Sequence, residues 1–210
     1  MKKIMFNERY GLEQAVIAGT KTMTRRRIHF PGIDDEDVSK PVMGIDEKGR
    51  VYFTFDARTE DVDVYPKYQI VEQVAIAQPY KNDDVLSYNA IKEDGTARED
   101  GFQRHKEMLG SNGYRNKMFV KAEYMPHRIR ITNIKAERLQ DISDEDCLKE
   151  GVEKWIDCYI VSGIMENQGK NNVCFDTPRE AFAALIDRIS GRGTWQSNPW
   201  VYAYTLELLK

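Results

Sequence analysis

The chain has 210 residues, 31 Lys and Arg against 34 Asp and Glu for a formal net charge of −3, and 41% hydrophobic residues. That balance excludes a polybasic nucleic-acid tail and a strongly acidic disordered chain, and it leaves enough apolar surface for a real core, preferably one elaborated domain over 1–210. No apolar run approaches the roughly 20 residues needed to cross a bilayer, and the basic start gives way to Asn7-Glu8-Arg9 before a signal-peptide core forms, so a cytoplasmic protein is expected.

Position matters more than the total. Residues 1–30 carry seven Lys/Arg and two Asp/Glu, net +5, whereas 31–117 carry net −6 and 118–210 net −2. Most of the excess is Lys21, Arg25, Arg26 and Arg27 with His29. Such a cluster attracts phosphate, and it reads equally as a solvated turn.

In chain order, Leu12, Ala15 and Val16 predict a short helix to about Ala18, closed by Gly19 in the left-handed conformation. From His29 to Val51 the turn formers Pro31-Gly32, Asp34 to Asp37, Pro41, Gly44 and Gly49 predict an excursion. Strands are expected at Val51–Phe55 and Val71–Ala77. Lys81–Lys117 reads as a long polar loop with one short helix near Phe102–Leu109. Met118-Phe119-Val120 is expected to begin a strand. In 127–134 the alternation of Ile129 and Ile131 with Arg128 and Arg130 predicts a strand with one core face and one cationic face.

Ser143 with Asp144-Glu145-Asp146 marks a helix start and Gly151 its end. Thr177-Pro178-Arg179-Glu180 has capping-box spacing with Pro at the first helical position. A loop over 194–199 then leads to a closing strand, Trp200–Leu208. About five strands and three helices predict an α+β fold. Cys147, Cys158 and Cys174 form no Cys-x-x-Cys pair, and the three histidines are scattered. No metal site or cofactor is expected, and free thiols in a reducing compartment are.

Gly19-x-Lys21-Thr22-x-Thr24-x-Arg26 resembles the signature of the ASCH domain family, whose fold is a β-barrel similar to the PUA domain. The order of elements agrees over about half the chain: a helix before the signature, a strand around Val74-Ala75-Ile76, the strand 127–134, a helix entered through Leu139-x-Asp141-Ile142-Ser143, and the closing strand. The resemblance implies a small mixed PUA-like barrel with flanking helices, carrying long insertions at about 29–66, 81–117 and 154–175. It further implies binding of RNA or a nucleotide in a cleft beside the signature. One compact branch of the family is an amidohydrolase that removes the acetyl group of acetylcytidine. Its catalytic Lys and Thr correspond to Lys21 and Thr24, and its Glu to Glu150. Many other members have Glu where Thr24 stands, which makes Thr24 the more discriminating match.

Two readings follow. In the first, Lys21, Arg25 and Arg26 hold an anionic backbone, Arg128 and Arg130 line the same groove, and Trp195 or Trp200 offers a face for a base. In the second, Thr24 is the nucleophile, Lys21 the base and Glu150 the acid of an amide hydrolysis. Lys21 must then fall from the lysine reference of about 10.4 towards about 7 to 8. Trp195 and Trp200 also read as core or loop anchors.

Overall fold

The structure, a computed structural model, describes all residues except 31, 34–36, 40, 58–60, 166–170 and 210. Pro31 and the acidic 34–36, expected as loop formers, lie outside the described residues. In chain order the elements are β1 (Lys2–Ile4), α1 (Leu12–Ile17), β2 (Met23–Arg27), β3 (Val42–Ile45), β4 (Val51–Asp56), β5 (Asp61–Val64), β6 (Gln73–Ile76), α2 (Asp83–Ala90), α3 (Gly101–Leu109), β7 (Arg128–Arg138), α4 (Asp144–Lys149), β8 (Glu153–Trp155), β9 (Cys158–Ile160), α5 (Pro178–Ser190), α6 (Thr194–Ser197) and β10 (Trp200–Leu209). The fold is α+β, and no ladder among the described residues closes into a barrel. The chain divides into two compact units, one of 1–6, 73–130 and 208–210, the other of 7–72 and 131–207.

In the smaller unit β1 pairs parallel with β6, and β6 pairs antiparallel with the first residues of β7, setting Gln73 opposite Arg130 and Ala75 opposite Arg128. Its core joins Ala75, Ala77, Tyr80, Val85, Met108 and Met125. The stretch expected as a long loop with one short helix builds that helix as α3 and adds a second, α2, before it. Asn82 caps α2 by accepting from Asp84 N, and buried Asn89 donates from Nδ2 to Val85 O and Tyr124 O. Met118-Phe119 is a 3-10 turn rather than a strand, because Asn116 Oδ1 caps Met118 N and both side chains stay exposed.

In the larger unit β2 runs antiparallel to β10, with Thr24 opposite Tyr204, Arg25 opposite Ala203 and Arg26 opposite Tyr202. The remainder of β7 lies on the other side of β10. Side chains on a strand alternate between faces, so Trp200, Tyr202 and Tyr204 share one. That face packs aromatic on aromatic: Phe55 on Trp200 at 5.2 Å, Phe53 on Tyr202 at 5.6 Å and Tyr68 on Tyr204 at 5.6 Å between ring centroids. Phe53 and Phe55 belong to β4, the middle strand of an antiparallel β3-β4-β5 sheet that occupies the expected 29–66 insertion. The capping box at Thr177 and Glu180 forms, and 194–199, expected as a loop, begins with α6.

The expectation of three free thiols is corrected. Cys158 and Cys174 form a disulfide, and Cys147 alone is a buried thiol. Sequence spacing conceals the pair, which is brought together by the antiparallel bridge of Tyr159 with Phe175. Among the described residues no helix is long and apolar enough to cross a membrane.

Candidate functional site

The site begins with how the chain leaves α1. Gly19 has φ +77°, and the amides of Thr20 and Lys21 both return to Ala15 O, so the helix ends abruptly. Thr22 N then donates to Lys149 O at 3.0 Å. That bond fixes Lys21 against the carboxyl end of α4, where unsatisfied carbonyls favour a cation.

Glu150 is the C-cap of α4, and the next residue, Gly151, has φ +103°. A Cβ at Gly151 would lie 2.8 Å from Leu12 Cδ2. Glycine therefore serves twice here, by its backbone conformation and by allowing close approach. The result is contact across 129 residues of sequence: Lys21 Nζ donates to Glu150 Oε2 at 2.6 Å, to Glu150 O at 2.7 Å and to Met23 O at 2.7 Å. Lys21 is 2% exposed and Glu150 4%.

Three acceptors around one nitrogen match the three protons of an ammonium. Burial pulls the Lys21 pKa down, Glu150 opposes it, and Arg26 and Arg25 add to the lowering; the net direction is below the ordinary lysine value. Two cations flank the Glu150 carboxylate, since Arg25 NH1 donates to Oε1 at 3.1 Å. The hydrogen bonds around Lys21 Nζ and both Glu150 oxygens have the geometry of a salt bridge.

Arg25 completes the network. Its NH2 donates to Glu137 Oε1 at 2.6 Å and to Asp146 Oδ2 at 3.1 Å, and its Nε donates to Glu137 Oε1 at 2.9 Å. Burial works against its charge, but Glu150 and Glu137 outweigh burial and raise its pKa. Three carboxylates holding one guanidinium is the arrangement that makes a buried cation tolerable. Lys135 and Lys149 join at the rim through Asp146.

Sequence reasoning named Lys21, Arg25 and Glu150 but missed Glu137 and Asp146. A signal existed for both. Asp146 is one helical turn before Glu150 on α4, and Glu137 continues the β7 strand beyond Ile134, where the expected alternation stopped.

Thr24 and Arg26 point the other way. They alternate with Arg25 on β2 and sit opposite Tyr204 and Tyr202. Thr24 is buried and Arg26 exposed. Lys21 and Glu150 are in direct contact, and Thr24, next to the Met23 carbonyl that Lys21 also bonds, shares no hydrogen bond with either. Trp200 is buried, with Phe55 on one side and Arg138 4.5 Å from its ring centroid. Trp195 is half-buried, edge-on to Phe182 at 6.1 Å, with Arg179 over its ring. Both tryptophans are anchored by these contacts. Arg128 and Arg130 belong to the smaller unit, where both are half-buried and Arg128 NH2 lies 3.4 Å from Tyr88 OH.

A hollow of about 60 Å³ lies beside Arg25 and Arg27, bounded by Leu139, Ile186 and Val201. It falls well below the roughly 300 Å³ of ordinary small-molecule sites. No group of three or more His, Cys, Asp or Glu among the described residues is placed to hold a metal ion.

Fold and site together define an α+β protein in which a sealed lysine–carboxylate–arginine network backs a strand presenting a second arginine. No protein-family model, curated protein or solved structure matches the chain.

Proposed function

We propose that the chain binds RNA or a nucleotide beside β2, at the exposed Arg26, in the manner of an ASCH-type cleft on a PUA-like barrel with insertions. The observation that supports this most is the division of labour between consecutive arginines. Arg25 is buried among Glu137, Asp146 and Glu150, whereas Arg26 is exposed to solvent, opposite Tyr202 in register, where an anionic backbone can approach it. Lys21 acts behind the strand, setting its position rather than touching phosphate. The test is fluorescence anisotropy of a labelled single-stranded RNA and of labelled nucleotides at low salt, repeated across a salt series. Binding that weakens with salt is expected, and no binding of either ligand at low salt removes this reading.

A second reading, hydrolysis of an acylated nucleobase such as acetylcytidine, is favoured by the 2.6 Å contact of Lys21 with Glu150 and by the lowered Lys21 pKa. In that reaction Lys21 takes the Thr24 hydroxyl proton and Thr24 Oγ attacks the acyl carbon. Beforehand the ammonium proton of Lys21 passes to Glu150; the C–N bond then breaks as Glu150 gives that proton to the leaving amine, and water releases the acyl group from Thr24. The ammonium must first lose its proton and Thr24 must reach it. Turnover of acetylcytidine that disappears in Thr24→Ala, with RNA binding retained, would establish this reading; equal turnover in wild type and Thr24→Ala would end it.

A further inference from the structure

We propose that the smaller unit carries a separate binding groove, between α2 and α3, for a small amphipathic carboxylate. The groove encloses about 410 Å³, inside the range of roughly 300 to 1,000 Å³ typical of small-molecule sites. Leu86, Ala90, Ala97, Phe102 and Met108 supply apolar walls, and Arg98 and His105 stand among them.

The groove is built rather than left over. Its polar floor is the Asn89 side chain, 1% exposed, which donates twice to backbone carbonyls and accepts from Arg104 NH1 at 3.1 Å. Arg104 is held in turn by Asp100 Oδ2 at 2.6 Å. With these groups satisfied, the floor has no reason to collapse or to recruit a polar ligand. At the start of α3, a Cβ on Gly101 would lie 3.2 Å from Asn89 O and 3.4 Å from Ala90 O, so glycine lets the two helices converge at one end. The third wall is a tight turn closed by the Ile91–Ala97 bridge, with Lys92 N donating to Thr96 O at 2.8 Å. Small side chains at Ala90 and Ala97 leave the space open, and Phe102, 83% exposed, stands at the mouth.

Charge selects the occupant. Arg98 is positioned by its Nε, which donates to Tyr88 O at 2.8 Å, while its guanidinium stacks 4.9 Å from the Tyr88 ring centroid. Neither terminal nitrogen hydrogen-bonds a described residue. Asp100 feels the charge of Arg98 but spends its hydrogen bond on Arg104. A pre-positioned guanidinium with both terminal nitrogens available, above an apolar slot, matches a carboxylate on a short hydrocarbon or aryl body. A neutral apolar ligand, or an apolar side chain from a protein partner, would make no use of it.

Octanoate and octan-1-ol, which share a chain and differ in the head group, are the probes. Isothermal titration of the full chain should give saturable octanoate binding. Arg98→Gln should weaken octanoate about tenfold, the loss of a charge-assisted pair, and leave octan-1-ol unchanged, whereas Arg98→Lys should keep most of the octanoate affinity. Ala97→Trp should block both ligands without moving the thermal midpoint. Absence of saturable octanoate binding, equal octanoate affinity in Arg98→Gln, or undiminished binding in Ala97→Trp would each overturn the proposal.

Discussion

Lys21 Nζ lies 2.6 Å from Glu150 Oε2 and both side chains are sealed from solvent, so the signature strand is tied to a helix 129 residues away by a buried ion pair. Breaking such a pair from one side leaves an uncompensated buried charge. Lys21→Met should therefore destabilise the fold by about 3 to 5 kcal/mol, measured by urea unfolding. The double change Lys21→Met, Glu150→Leu should not add a second loss of that size, because the pair is removed together. The coupling free energy from the cycle is the readout, and additive single losses would contradict a direct pair. A consequence for activity tests is that Lys21 variants need a folding control, whereas Thr24 variants answer the chemical question more cleanly.

Neighbouring arginines should fail in different ways. Arg25→Gln removes the guanidinium from Glu137, Asp146 and Glu150, and urea unfolding should show a loss of several kcal/mol, the scale of an unpaired buried carboxylate. Arg26→Gln, at an exposed position, should cost less stability than Arg25→Gln and lower the salt slope of RNA binding by about one. If Arg25→Gln changed the salt slope and left stability intact, the assignment of roles would be reversed.

Acid should act on the same network. Burial raises the Asp146 pKa, but its bonds to Lys149 and Arg25 outweigh burial, so the folded value lies below the ordinary aspartate value. A carboxylate with a depressed folded pKa contributes stability that is complete above the unfolded pKa of about 3.9 and is lost as pH falls through the folded pKa. Urea midpoints of wild type and Asp146→Asn should differ most near neutral pH and converge below about pH 4. A gap that stayed constant to low pH would show that Asp146 acts through packing alone.

Much of this was legible beforehand, and the reasons are local. Gly19, the Ser143 cap and the Thr177 capping box are short-range devices that act through neighbouring backbone, and each forms where the sequence places it. The long alternating strands β7 and β10 announce themselves in the same way. The strands that went unread, such as β1, β8 and β9, have three residues each, too few for a period of two to register. Partners of Arg25 depend on contact between β2, β7 and α4, and the Cys158–Cys174 bridge depends on pairing of residues outside any long element. Tertiary contact of this kind leaves no periodic trace. The burial of Trp200 follows the same logic: an aromatic residue in a closing strand reads as exposed platform or core until β4 is known to cover it.

Thiol counting tests the corrected cysteine assignment. Cys147 is buried and desolvation pushes its pKa up to about 12, so its thiolate is scarce at neutral pH and reagent access is blocked. The native protein should show no thiol reactive to a neutral-pH disulfide reagent. Denaturant without reductant should reveal one, and denaturant after reduction three, by absorbance or mass shift. Three thiols in the unreduced denatured protein would restore the expectation of free cysteines.

Tyr202 presents the last case, a hydroxyl buried without an acceptor among the described residues. Its ring is held between β10 and β4, 5.6 Å from Phe53 and 6.1 Å from Tyr204, and burial raises its pKa. An unsatisfied buried polar group costs about 1 to 3 kcal/mol of desolvation. Tyr202→Phe keeps the ring and removes that group, so stability should hold or rise by up to about 1 kcal/mol, read from the urea midpoint at constant slope. The change sits opposite Arg26 in register, and RNA affinity measured on the same variant separates two roles for the hydroxyl. A more stable protein with unaltered RNA binding marks it as a packing residue of the aromatic layer. A more stable protein that binds RNA more weakly shows that the desolvated hydroxyl is kept for the ligand, the trade expected where a binding face is held at a cost in stability.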